Sequence, residues 1–181
     1  DPGPFSGDPS KTPLWTIFFE TLIHDFDTLL WLNAGAKPVE VYAIADALVR
    51  PDFKDQGFLD TAVVTIRFDN GAVATADANF SALYGYDVRG EVFGSKGMVT
   101  MGDVRRSNMN YFGAGGVNQD TWRLDADHFL WGYTAQLSSF VNAIKTGKVE
   151  GAGGQDARAA LKVALACIES VQQQKPIRLE S

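Results

Sequence analysis

Glu20, His24 and Asp27 are the residues whose types and spacing could do chemistry. Glu20 and His24 stand at i and i+4, His24 and Asp27 at i and i+3, so a helix would range all three along one stripe. They interrupt a segment whose other face is strongly apolar. A carboxylate one turn from an imidazole can hydrogen-bond it, fix its tautomer and favour its charged form. Such an imidazole is suited to take a proton from a substrate hydroxyl, as a general base does. The same spacing also fits a salt-bridged surface stripe, since structural networks use the same groups. A divalent-metal centre would need further N, O or S ligands beside His24. His128 could be one, but nothing in the sequence fixes it nearby, and no metal site is expected.

Tyr84-Gly85-Tyr86-Asp87 opens a strand-like segment. Its two phenols could line a sugar or polyol pocket, where hydroxyls and ring faces are both useful. Equally, it could be an aromatic strand edge whose glycine permits close backbone approach. Gly94-Ser95-Lys96-Gly97 lacks the rest of a phosphate-loop pattern and precedes no helix, so it reads as a hairpin turn. Gly151 to Gly154 could offer an anion site at a helix N-terminus, but Asp156 in the first turn favours capping. No Gly-x-Gly-x-x-Gly lies between a strand and a helix, so no dinucleotide-binding fold and no cofactor-binding residue is encoded. No Gly-x-Ser-x-Gly elbow appears, and Cys167 has no neighbours of the nucleophile type.

These residues need elements to hold them. Phe19, Leu22, Ile23, Phe26, Leu29 and Leu30 recur at helical spacing up to the stop Asn33-Ala34-Gly35, which predicts a helix over about 17–33. From 38 to about 112 the period becomes two. Val39 to Ile44 and Val63 to Phe68 alternate as strands, and Asp69-Asn70-Gly71 supplies a tight hairpin turn into 72–80. Further strands are expected at 87–93 and 98–101, while 103–126 resists reading. Phe129, Tyr133, Leu137, Phe140, Val141 and Ile144 form one late helical stripe. Ala157, Ala160, Leu161, Ala164, Ile168 and Val171 form a second, ended by Pro176. The fold class expected is α+β: one open, mostly antiparallel or mixed sheet of five or six strands with helices packed on one face.

The 181 residues carry 16 Lys plus Arg against 22 Asp plus Glu, a net charge of −6. That balance leaves no basic stripe for nucleic acid or an anionic membrane. A composition 45% hydrophobic and 21% charged belongs to a folded globule. One cysteine cannot form an internal disulfide, and no apolar run approaches a bilayer span. No secretory signal is present either, so a cytoplasmic location is expected. Prolines 2, 4, 9 and 13 mark residues 1–14 as an extended arm, leaving 15–181 as one domain. A start at Asp1 rather than Met points to a processed product or a fragment.

The ordered run of motifs resembles the second domain of the Gfo/Idh/MocA oxidoreductases, which include inositol 2-dehydrogenases and glucose–fructose oxidoreductase. Glu20-Thr21-Leu22-Ile23-His24-Asp25-Phe26-Asp27 with Leu29-Leu30-Trp31-Leu32 is similar to the helix that opens that domain. The likeness continues through Pro38 to Ala43, Asp60 to Val64, Asn70-Gly71-Ala72, Tyr84 to Met98 and the closing Gln155 to Leu161. The resemblance implies a C-terminal domain of the dihydrodipicolinate-reductase/glyceraldehyde-3-phosphate-dehydrogenase type. It implies His24 as catalytic base and Glu20, where the family has Asp, as its orienting partner. Asp27, Tyr84 and Tyr86 would contact a sugar or polyol. NAD or NADP would serve the intact enzyme through an N-terminal nucleotide-binding domain absent here, with none bound by this domain alone. A homo-oligomer formed through the open sheet face is implied as well. Trp15 and Thr16 replace the paired glycines usual before the helix. Two other readings stay open: a non-catalytic assembly module, and a metal-dependent sugar isomerase or epimerase.

Overall fold

The computed structural model describes residues 12–179. A π-helical turn, Ile17–Thr21, runs into helix α1 (Leu22–Leu32). Strand β1 (Pro38–Asp46), a 3-10 turn (Pro51–Gln56), β2 (Thr61–Phe68) and β3 (Val73–Asn79) follow. Next come β4 (Gly90–Gly94), β5 (Gly97–Met101), β6 (Arg105–Gly113) and β7 (Gly116–Thr121). The chain closes with α2 (Asp125–His128), α3 (Leu130–Thr146), α4 (Gly154–Gln173) and β8 (Ile177–Arg178). The described residues form two compact units, one from 12–81 with 152–179, the other from 82–151.

The first unit is an antiparallel sheet in the order β3-β2-β1-β8. Alternation decides its two faces. Val41 and Ala43 on β1 lie opposite Ile66 and Val64 on β2, and all four are buried. They meet Phe18, Leu22 and Phe26 from the π turn and α1, and Val163, Ala164 and Cys167 from α4. Burying each large side chain contributes roughly 1.5–3 kcal/mol. On the opposite face Tyr42, Ile44, Val63 and Val73 are exposed, as expected for an open-faced sheet. The Asn70-Gly71 turn forms as the sequence predicts: Gly71 is left-handed at φ 88° and Ala72 N–H donates to Asn70 Oδ1 at 3.0 Å.

Two polar groups finish this core. Ser170 is fully buried; its Oγ accepts from Ala43 N–H at 3.0 Å and donates to the Lys175 carbonyl at 2.7 Å. It thereby satisfies a β1 donor that the short β8 does not reach, because β8 pairs only with Glu40 and Val41. Asp60, 2% exposed, accepts the backbone N–H groups of Leu48, Val49 and Arg50 at 2.9, 2.8 and 3.0 Å.

In the second unit β4 and β5 form a hairpin whose Gly94 and Gly97 face each other, so Gly94-Ser95-Lys96-Gly97 is a turn. β6 and β7 form another, with Gly113 opposite Gly116. Helix α3 carries the expected stripe, yet Tyr133, Leu137, Phe140, Val141 and Ile144 are all exposed.

Three differences from the sequence reading stand out. Among the described residues eight strands fall into three antiparallel sheets, where one sheet of five or six was expected. The opening helix is continuous over 17–32 but its first turn is π, not α. The unread stretch 103–126 holds a hairpin, because β6 begins Arg105-Arg106-Ser107-Asn108 and shows no apolar alternation. Residues 1–11 of the expected arm lie outside the described residues. Among those described, no helix is long and apolar enough to cross a membrane.

Candidate active site

Helix α1 anchors itself by Leu22 and Phe26, both fully buried, and this turns Glu20 and His24 outward. Both are exposed, and they share one face of the helical run; Asp27 is half-buried on its flank. A π turn advances less per residue than an α turn, and such turns are frequent at functional sites. No hydrogen bond or ion pair joins Glu20 to His24 among the described residues. Apo geometry of this kind is common where catalytic hydrogen bonds tighten only around substrate. The His24 carbonyl accepts from the Thr28 hydroxyl at 2.9 Å, an ordinary helix contact.

The entry to this helix is unusual. Trp15 is left-handed at φ 62°, a strained state for a bulky residue and one that glycine adopts freely. Three contacts over-determine it. Trp15 N–H donates to the Gly57 carbonyl at 3.1 Å, its own carbonyl accepts from Phe18 N–H at 2.9 Å, and its ring packs against Phe18.

Asp25, on the flank opposite Asp27, was not singled out by spacing. Burial pushes its carboxyl up to about 6, with Asp77 on β3 adding to the rise and the neighbouring His24 opposing it. Burial likewise pushes the Cys167 thiol up to about 12, so it is inert as a nucleophile at neutral pH.

Tyr84 and Tyr86 belong to the second unit. The Tyr84 hydroxyl donates to Asp87 Oδ2 at 3.0 Å, and Arg89 binds both oxygens of the same carboxylate at 2.7 and 2.8 Å. Tyr86 N–H donates to the Trp122 carbonyl at 2.7 Å. The Thr121 hydroxyl and the Arg123 guanidinium donate to the carbonyls of Tyr84 and Leu83 at 2.6 and 2.9 Å. Gly85 allows this stitch: a Cβ there would stand 2.8 Å from the Trp122 carbonyl. The close-approach reading of Gly85 therefore holds. Sequence reasoning missed Trp122 as its partner, although a tryptophan after the polar run Asn118-Gln119-Asp120-Thr121 was a usable signal.

His128 also lies in the second unit, among the rings of Tyr86, Trp122 and Phe129. Among the described residues no three His, Cys, Asp or Glu side chains gather as a metal would require. Nor do the described strands supply a parallel βαβ crevice for a dinucleotide, since every pairing is antiparallel.

Comparison with known proteins gives this geometry a family. The chain is 32% identical over 182 residues to the myo-inositol 2-dehydrogenase of Thermotoga maritima, covering 97% of this chain and 54% of that one. It is 29% identical over 164 residues to the scyllo-inositol 2-dehydrogenase (NAD(+)) of Bacillus subtilis, covering 91% of this chain and 48% of that one. The crystal structure of myo-inositol 2-dehydrogenase from Lactobacillus plantarum superposes with a TM-score of 0.84 at 28% identity, over 91% of this chain and 48% of that one. The chain thus spans about half the length of the curated relatives it matches. The family described as "Oxidoreductase family, C-terminal alpha/beta domain" matches residues 15–179, and the chain belongs to that domain of the Gfo/Idh/MocA oxidoreductases.

Proposed function

We propose that this domain is the substrate-binding half of an NAD(P)-dependent dehydrogenase that oxidises a CH–OH group of an inositol-like polyol or sugar. The observation that carries the reading is the Glu20–His24 pair, held outward on one face of a helix whose other face is locked in the core. Its relatives named as inositol dehydrogenases, one of them NAD-dependent by name, support the substrate class and the cofactor. The antiparallel pairing of the described strands supports a reading in which the nicotinamide that accepts hydride would be held by a nucleotide-binding domain outside this chain, with none held by this chain alone. His24 would take the proton of the reacting hydroxyl, and Glu20 would orient the imidazole and stabilise its cation. Asp27, Tyr84 and Tyr86 would hold the other hydroxyls. The reaction is assigned to the cytoplasm.

His24→Ala in the full-length protein is expected to lower turnover by at least about 10²-fold, the low end for a general base. Near-normal turnover would remove His24 from the mechanism.

The exposed sheet face with Tyr42, Ile44, Val63 and Val73 favours a second role, as the surface through which copies of the protein associate. A chain acting only as an assembly module would show no micromolar NAD or NADP binding by isothermal titration. Such binding by this chain alone would overturn the assignment of the cofactor to another domain.

A further inference from the structure

Two departures from ordinary backbone geometry stand side by side in the first unit: left-handed Trp15 and the π turn Ile17–Thr21. A single π turn marks an extra residue held within a helix. A left-handed bulky residue persists only where its surroundings impose it, and such strain gathers at functional sites. Here both lead straight into Glu20 and His24.

Trp15 is held at its N–H, its carbonyl and its ring. The N–H donates to the Gly57 carbonyl at 3.1 Å. The carbonyl accepts two of the first N–H groups of the helical run, from Phe18 at 2.9 Å and Phe19 at 3.2 Å. Thr16 caps nothing, because its hydroxyl turns back to the Pro13 carbonyl. The indole packs against buried Phe18, and its Cε2 lies 3.7 Å from where a Gly57 Cβ would stand. Fully buried Leu22 fixes the other end of the turn. Between these anchors the hydrogen bonds widen. Phe18 and Phe19 reach back three and four residues to Trp15, and Leu22 reaches back five to Ile17. An α-helix would need one residue fewer over the same path. Release of Trp15 from its left-handed state would let that residue slip toward the N-terminus and the turn relax to α.

The wider turn changes how the pair stands. Four α steps of about 100° leave Glu20 about 40° around the axis from His24. A π step turns the chain by roughly 80°, so the two steps from Glu20 to Leu22 bring that offset to near zero. Glu20 then stands over His24 rather than beside it.

We propose that the left-handed backbone of Trp15 is a positioning element for the general base: it holds the π turn, and the π turn aligns the Glu20 carboxylate with the His24 imidazole. This rests on the Glu20–His24 pair proposed above. Trp15 acts through Glu20 and is not itself a catalytic residue.

Scalar coupling across the hydrogen bond from Leu22 N–H to the Ile17 carbonyl, measured by NMR on this chain, reads the π turn directly. It should be present in wild type and in Trp15→Gly, since glycine takes a positive φ freely, and lost in Trp15→Val, since a β-branched residue does not. Its absence from wild type, or its persistence in Trp15→Val, overturns the proposal. Steady-state kinetics of the full-length protein read the consequence. Trp15→Val should lower kcat at least about 10-fold with KM within about 2-fold, while Trp15→Gly keeps kcat within about 3-fold of wild type. In a Glu20→Gln background Trp15→Val should cost no more than about 2-fold further, a coupling that a general loss of stability would not produce. Additive losses overturn the proposal, as does a Trp15→Gly variant as slow as Trp15→Val. Should Trp15→Val fail to fold, additive losses from Trp15→Ala and Glu20→Gln overturn it equally. Normal turnover in Trp15→Val beside a slow Glu20→Gln overturns this proposal alone. Normal turnover in Glu20→Gln overturns it together with the pairing of Glu20 and His24.

Discussion

Replacing Asp25 with asparagine is expected to stabilise the domain at neutral pH and to do nothing in mild acid. The Asp25 carboxyl is pushed from 3.8 to about 6, mainly by burial on the flank of α1, with Asp77 adding to the rise. Its folded value therefore lies above its unfolded one. Between about pH 4 and pH 6 the folded state binds more protons than the unfolded state, so stability falls as pH rises through that window. Above it, both states are ionised and the folded state carries the whole penalty of a half-buried charge. A displacement of about two pH units at 1.36 kcal/mol each gives about 3 kcal/mol as the ceiling. Asparagine also leaves a half-buried amide to satisfy, which lowers the expected gain to about 2 kcal/mol. For a domain of this size that corresponds to a Tm rise of about 4–8 °C at pH 7.5. Urea melts followed by tryptophan fluorescence at several pH values between about 4 and 7.5 would measure it, since Trp15 and Trp31 both report on the first unit. The difference between variant and wild type should shrink toward zero near pH 4. A constant difference across the range, or a loss of stability at pH 7.5, would refute the account of Asp25 as a buried, unpaired acid.

Other perturbations test the packing that holds the site. Asp60→Ala removes the buried carboxylate shared by the part-buried N–H groups of Leu48, Val49 and Arg50 and should cost about 2–3 kcal/mol, with faster hydrogen exchange at residues 48–50 as the local signature. Ser170→Ala removes the partner of both the Ala43 N–H and the Lys175 carbonyl; a loss of about 2 kcal/mol in thermal melts is expected. Gly85→Ala drives a Cβ into the Trp122 carbonyl and should destabilise the 83–86 and 121–123 stitch by about 1–3 kcal/mol, read as a fall in near-ultraviolet dichroism from Tyr86 and Trp122.

Much of the first unit was legible because its signals are local. The Asn70-Gly71 turn, the period-two run from Val63 to Phe68 and the helical spacing from Phe19 to Leu30 each depend on neighbours in the chain. Capping by Asp156 was legible for the same reason, and its carboxylate accepts Gly153 N–H at 2.7 Å. The π turn was not, since one altered hydrogen-bond step leaves the apolar spacing unchanged. Neither was the β6–β7 hairpin, whose exposed strands have no buried face to impose alternation. As for the site, Glu20 and His24 could be picked out by spacing and by family likeness. Asp25 could not, because its distinction arises from burial and from Asp77, 52 positions away in a strand that only the fold brings near. The setting of His128 likewise depends on Trp122 and Tyr86, which no short-range pattern connects to it.

The first unit is interrupted in sequence: three of its four strands are complete by Asn79, yet the helix that covers them begins only at Gly154 and the edge strand β8 follows it. A chain growing from the ribosome therefore finishes the whole second unit before the first can close. Until α4 emerges, Val41, Val64 and Ile66 lack Val163, Ala164 and Cys167, and the Ala43 N–H lacks Ser170. Contacts across so long a separation form slowly, and for that interval an apolar sheet is open to the folding machinery of the cell. Loss of everything from Gly154 onward would make that interval permanent, so a nonsense codon anywhere between Ser81 and Gly154 would be as damaging as one far upstream.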